Sequence, residues 1–144
     1  MNTLLIQSNY ELALNNIPEL LFAPDMIYVN GKFNNKPIIL FIDTGARTSV
    51  MSLDKVKELG LFDYIDYECN GLAVGIGKQE IIGRIHYFEI EIDNFIIPIS
   101  VDVLNNMPNG FDILIGLNVL YANGIGIDVK NKNLFFGNNK IKYN

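Results

Sequence analysis

The chain has very little cysteine or histidine. Cys69 and His86 are the only residues of their types among 144. A single cysteine excludes a disulfide within the chain and fits a reducing compartment. One Cys and one His also cannot form a metal site built on clustered Cys and His, so no metal or other cofactor is expected. We interpret Cys69 as a half-buried thiol without a role, and His86 as a packed or surface residue rather than a general base.

Clusters of basic residues and long apolar runs are also missing. The formal net charge is −5 at pH 7. Because no basic cluster could follow a phosphate backbone, nucleic acid is not an expected partner. No apolar run approaches the ~20 residues that a membrane span requires, and the N-terminus lacks the positive leader of a secretory signal. The expected location is therefore the cytosol or the nucleus, with no membrane partner.

One short motif carries chemical information. Asp43-Thr44-Gly45-Ala46 directly follows the apolar run Ile38–Ile42, which predicts a buried strand that ends in one acid. Aspartic peptidases present their catalytic carboxylate in this way. They need two carboxylates side by side that share one proton, because like charges in contact cannot both ionise. This chain has one such motif, so a homodimer that brings both Asp43 side chains to its twofold axis would complete the site.

The surroundings of the motif decide between catalysis and an ordinary turn. Alone, Asp-Thr-Gly is equally typical of a turn after a strand, since Asp and Gly are common turn residues. Within the motif, Thr44 offers a hydroxyl to brace the loop, and Gly45 allows close approach of the backbone. Further along, residues 111–120 predict a second buried strand that stops at Gly116 and passes into a short helix. We expect Gly116 to pack beneath the Asp43 loop, which favours catalysis.

Together these motifs resemble the half-barrel of retroviral proteases. The run from Met26 to Gly137, above all residues 71–86, is more similar still to the retroviral-protease-like domain of the DNA-damage-inducible family of ubiquitin shuttle proteins. Tyr10–Glu19 resembles the helical lead-in to that domain. The resemblance implies a mainly β, retropepsin-like closed β-barrel half-site with one or two short helices, which is completed by homodimerisation. At 144 residues, the chain is too short for the two-lobed single-chain form of an aspartic peptidase.

The resemblance also implies roles for particular residues. Asp43 would be catalytic, and Thr44, Gly45 and Ala46 would form the active-site loop. A movable flap would close over an extended peptide through Gly75, Ile76 and Gly77. Arg47 stands where retroviral enzymes usually carry an acid, and we assign it no role. The apolar pair Phe135-Phe136 is equally consistent with a dimer interface and with ordinary core.

The implied activity is that of an aspartic endopeptidase on heavily ubiquitylated proteins. The alternative is a non-catalytic dimerisation or peptide-binding module of a ubiquitin–proteasome shuttle protein. We expect a helical lead-in or linker over residues 1–24, the protease domain over 25–138, and a C-terminal tail over 139–144. Direct contact with ubiquitin would require the flanking domains that longer family members carry.

Local patterns predict the individual elements. A short helix is expected around residues 9–15, and a second over 53–59, capped by Ser52 and stopped by Gly60. Strands are expected over 26–33, 37–42, 49–51, 67–74, 78–92, 95–103, 113–115, 126–129 and 133–136. The first two strands would be joined by a turn at Asn34-Asn35, although Asn30-Gly31 is an alternative turn.

Overall fold

The computed structural model describes residues 2–73 and 79–144. These residues form ten β-strands, three α-helices and two single turns of 3-10 helix. The strands are β1 (Tyr28–Phe33), β2 (Lys36–Ile42), β3 (Ser49–Ser52), β4 (Gly71–Ala73), β5 (Gln79–Ile92), β6 (Phe95–Leu104), β7 (Ile113–Ile115), β8 (Ile125–Asp128), β9 (Asn133–Phe136) and β10 (Asn139–Lys142). The helices are α1 (Thr3–Asn16), α2 (Leu53–Glu58) and α3 (Leu117–Ala122), and the 3-10 turns span Pro18–Leu21 and Phe62–Tyr64.

Six strands close into a barrel, in the order β1-β2-β7-β3-β6-β5 and back to β1. The ring closes where Lys32 of β1 lies opposite Glu91 of β5. At the adjacent Gly31, an added Cβ would lie 2.8 Å from the backbone oxygen of Glu91. Any side chain there would therefore push the two strands apart. The closed barrel is confirmed, and the alternative turn at Asn30-Gly31 is wrong because Gly31 lies within β1.

Local signals place the first hairpin and α2 as predicted. Asn34 and Asn35 join β1 to β2 with φ angles of 46° and 65°, a left-handed pair that matches the twist of a two-residue hairpin. The Ser52 side chain accepts a hydrogen bond from the backbone N–H of Lys55 at the start of α2. Gly60, with φ of 75°, follows the helix end. The predicted turn at Asn34-Asn35 and the predicted cap and stop of α2 are confirmed.

The barrel interior is filled by aliphatic side chains. Those buried most completely come from β2, β3, β5, β6 and β7, and they include Ile38, Leu40, Met51, Ile85, Ile90, Val101, Val103 and Ile113. Burying their apolar surface stabilises the fold by about 25 cal/mol for each Å² removed from water. The acid loop after β2 and Gly116 after β7 therefore both follow strands that are anchored in a well-packed core.

Both ends of the chain differ from expectation. Residues 139–144 were expected to be a tail, but β10 pairs with β9 in a separate sheet of order β10-β9-β8. Ile141 and Tyr143 are buried there, so apolar residues at alternate positions hold this segment in place. At the other end, α1 extends well beyond the expected residues 9–15, because Asn2 caps it through the N–H groups of Leu4 and Leu5.

The barrel carries the one or two short helices that were expected, since α2 and α3 have six residues each. The third α-helix of the described residues, α1, lies in the segment expected to be a helical lead-in. A domain boundary near residue 24 stays a prediction. Among the residues with described structure, no helix is both long and apolar enough to cross a membrane.

Candidate active site

The Asp43 carboxylate lies at the end of β2, where the strand leaves the barrel. The Asp43 N–H donates to the carbonyl of Ile115 in β7 at 2.9 Å. Its Oδ1 accepts a hydrogen bond from the N–H of Gly45, also at 2.9 Å, which fixes the side-chain rotamer. At Gly45, an added Cβ would lie 3.1 Å from Asp43 Oδ1. The half-buried carboxylate is therefore held in one position by its own loop.

The loop is supported from below by the start of α3. At Gly116, an added Cβ would lie 2.7 Å from the backbone oxygens of both Ala46 and Thr48. The next two N–H groups, of Leu117 and Asn118, donate to the carbonyls of Ala46 and Arg47 at 2.8 and 3.1 Å. These bonds satisfy loop carbonyls that would otherwise be orphaned. The prediction that Gly116 packs beneath the Asp43 loop is confirmed.

A buried serine, which the sequence analysis missed, ties the two segments together. Ser49 is completely buried, and its hydroxyl donates to Asn118 Oδ1 at 2.8 Å while it accepts from the N–H of Gly116 at 2.9 Å. Asn118 Oδ1 also accepts from the backbone N–H of Ser49, and its Nδ2 donates to the carbonyl of Ser100. Every group in this network is satisfied, so the network fixes the loop rather than straining it.

A second network connects the acid loop to β5 and β6. Asp102 is only 7% exposed, and its two oxygens accept from Arg84 Nε and Thr48 Oγ1, each at 3.0 Å. A carboxylate can be buried at tolerable cost only with such partners. The sequence signal for this network was a charged residue inside the apolar run Val101–Leu104, which the sequence analysis did not use.

The predicted loop residues lie together at the surface. Thr44 and Gly45 are exposed and Ala46 is half-buried. Arg47 is also exposed, as expected of a solvated loop residue. Gly75, Ile76 and Gly77 lie outside the described residues, so the flap stays a prediction.

An open apolar groove adjoins the acid loop. Its walls are Thr44, Leu117, Leu120, Tyr121, Gly124, Ile125 and Ile127. Tyr121 is 91% exposed and Leu117 is 44% exposed. Exposed apolar patches of this kind commonly mark protein interfaces. By contrast, Phe136 stacks on Phe95 with ring centroids 5.3 Å apart, so this member of the Phe135-Phe136 pair packs within the chain. An interface role for the pair stays a prediction.

Comparison with known proteins places this geometry in a family. A family model described as "Aspartyl protease" matches residues 18–128. Human "Protein DDI1 homolog 2" is 33% identical over 132 residues, which are 92% of this chain and 33% of that protein. "DNA damage-inducible protein 1" of Saccharomyces cerevisiae is 39% identical over 118 residues, which are 82% of this chain and 27% of that protein.

A solved structure shares the fold. The retroviral protease-like domain of Ddi1 from Leishmania major matches with a TM-score of 0.73 and 31% identity, over 84% of this chain and 95% of that one. The closed barrel of this chain, with an acid loop at a strand end, is thus a fold of the retropepsin-like class. The chain belongs to the aspartyl protease family, among the retroviral protease-like domains of Ddi1 proteins. It spans about a third of the length of the curated relatives that it matches.

Proposed function

We propose that the chain is an aspartic endopeptidase whose active site forms when two copies associate. The observation that carries the proposal is the Asp43 loop. It presents one carboxylate at a strand end, fixed by the Gly45 N–H and supported by Gly116, in a chain of the aspartyl protease family. One acid cannot act as base and acid at once, whereas two that share a proton can. A second copy supplies the missing group.

The reaction proceeds without a cofactor or a covalent intermediate. The ionised Asp43 of one copy removes a proton from a water molecule, and the water oxygen attacks the peptide carbonyl carbon. The protonated Asp43 of the partner donates its hydrogen bond to the carbonyl oxygen. The resulting tetrahedral species then collapses, the C–N bond breaks, and the amine leaves with a proton from the dyad. The free carboxyl and amine are the products.

The apolar groove beside Thr44 supports a twofold contact at this end of the barrel. Covering Leu117 and Tyr121 removes exposed apolar surface from water. In such a contact the two Thr44 hydroxyls brace the paired loops, while Gly45 and Ala46 shape the floor of the cleft. The homodimer is thus part of the proposed mechanism.

We propose extended peptides as the substrate class. A peptide held across the dyad would be covered by a flap formed by Gly75, Ile76 and Gly77, whose backbone groups would bond to it as an added strand does. The preference for ubiquitylated proteins rests on the family resemblance, as do a ubiquitin contact through a longer parent protein and the cytosolic or nuclear location.

The experiment is an endopeptidase assay with the untagged chain. An unfolded polypeptide is incubated with it, and the fragments are sequenced by mass spectrometry. We expect internal cuts, which a peptide with a hydroxyl in place of the scissile carbonyl should block because it mimics the tetrahedral species. A folded dimer that cuts none of a diverse set of unfolded polypeptides would contradict the proposal.

A further inference from the structure

Three side chains of metal-binding type converge outside the acid loop. Asp66, Cys69 and His86 each offer one ligand atom, and these atoms lie within 4.8 Å of one another. Asp66 Oδ2 lies 2.8 Å from His86 Nε2, and Cys69 Sγ lies 3.6 Å from Asp66 Oδ2 and 3.9 Å from His86 Nε2. None of the three takes part in the proposed proteolysis. Because a metal site was expected only from clustered Cys and His, the Asp66 carboxylate was not predicted as a ligand.

We propose that Asp66, Cys69 and His86 bind a zinc ion. In a tetrahedral zinc site, ligand atoms are about 3.6 Å apart where one is sulfur and about 3.4 Å apart for nitrogen and oxygen, given the usual bond lengths. The Sγ–Oδ2 distance already matches, and the Sγ–Nε2 distance is 0.3 Å longer. For the metal to bind, the Asp66–His86 hydrogen bond has to open by about 0.6 Å and the Sγ–Nε2 distance has to shorten by about 0.3 Å. The proton that the Cys69 thiol donates to Asp66 Oδ2 is released to solvent, so that the thiolate is the ligand.

The backbone fixes two of the three ligands relative to each other. Asp66 forms an antiparallel bridge with Arg84 of β5, through hydrogen bonds of 2.8 and 3.0 Å. At Gly83, an added Cβ would lie 2.6 Å from the Asp66 carbonyl oxygen, so glycine permits this close approach. His86 follows two residues further along β5, on the same side as Arg84. Strand geometry therefore brings the imidazole to the carboxylate.

The turn that follows Asp66 brings in the thiol. Asp66 Oδ1 accepts from the N–H of Glu68 at 3.0 Å, which leaves Oδ2 facing the other two ligands. The N–H of Cys69 donates to the Asp66 carbonyl at 3.3 Å. Because of these two bonds, Cys69 Sγ lies on the same side as Oδ2.

The donor set selects the class of metal. A thiolate and an imidazole suit zinc and similar borderline-soft ions, whereas calcium and magnesium require oxygen ligands. All three side chains are accessible, with His86 57% and Asp66 36% exposed and Cys69 exposed. An ion can therefore enter from solvent, and water can fill the fourth position. Once bound, it would tie the segment that precedes β4 to β5.

The test is a titration of the untagged chain with zinc alone, in competition with a chromogenic chelator. We expect one ion per chain. Since the chain has one cysteine and one histidine, cobalt substituted for zinc should show a sulfur-to-cobalt charge-transfer band that can only come from Cys69. Cys69→Ser and His86→Gln should each weaken zinc binding at least as much as loss of an outer-shell partner does, which is about 10–100-fold.

Glu68→Gln is the matched control. It removes one negative charge from the same turn but none of the three ligand atoms, so zinc affinity should stay within about threefold of the parent, a difference of well under 1 kcal/mol. Absence of saturable binding, or of the thiolate band, would overturn the proposal. So would zinc affinity that is unchanged in both Cys69→Ser and His86→Gln, since the ion would then sit on other surface carboxylates. Circular dichroism of each variant checks that it is folded.

Discussion

Replacing Asp43 with Asn is expected to lower the rate of peptide cleavage by on the order of 10³-fold or more, because the amide can neither take a proton from water nor share one with its partner. The fold should survive the change. Asn keeps the side-chain oxygen that accepts from the Gly45 N–H, so the loop retains its local bond. We expect the free energy of unfolding to change by less than about 1 kcal/mol. Steady-state cleavage and urea denaturation measure the two quantities.

Asp63→Asn is the matched control for this substitution. Asp63 is exposed in the 3-10 turn Phe62–Tyr64, so the same loss of one charge occurs away from the acid loop. Its cleavage rate should equal that of the parent. If Asp43→Asn cut at the parental rate, the assignment of Asp43 as the catalytic acid would be wrong.

Gly116→Ala is expected to give the second largest effect. The new Cβ would lie 2.7 Å from two backbone oxygens of the acid loop, those of Ala46 and Thr48. Backbone cannot move aside as a side-chain tip can, so the loop itself must shift. We expect a loss of about 1–3 kcal/mol in stability, as in other overpacked sites. Because displacement of about 1 Å costs roughly 10²-fold in rate, cleavage should fall by that order even where the protein is folded.

Gly126→Ala provides the comparison for Gly116→Ala. Its added Cβ would lie 3.5 Å from Phe135 Cβ, an ordinary van der Waals contact, so the unfolding free energy should change much less. Denaturation of both variants under the same conditions compares the two sites. Equal stability of Gly116→Ala and the parent would show that the contact beneath the loop does not constrain it.

Features set by neighbouring residues could be read from the sequence. The Asn34-Asn35 turn, the Ser52 cap and the stop at Gly60 each depend on residues a few positions apart. The acid at the end of an apolar run was equally visible, because strand and loop are contiguous there. These signals were sufficient for the barrel strands and for the position of Asp43.

Features set by distant residues were missed. The hydroxyl of Ser49 donates a hydrogen bond to the amide oxygen of Asn118, 69 positions away. Arg84 of β5 forms an ion pair with Asp102 of the neighbouring strand β6. Neither pairing leaves a local pattern, since only the folded barrel brings the partners together. The same holds for Asp66 and His86, 20 positions apart. The strand β10 was missed for another reason: its four residues are mostly polar, and only Ile141 is buried.

The shared active site is tested most directly by mixing parent chains with Asp43→Asn chains under conditions that allow subunit exchange, at constant total concentration. If each site needs an Asp43 from both copies, only parent–parent pairs cleave. Activity should then follow the square of the parent fraction and fall to about one quarter in an equal mixture. Mixing with Asp63→Asn should leave activity unchanged. A linear decline, to about one half in the equal mixture, would show that each chain cleaves on its own and would contradict the dimeric site.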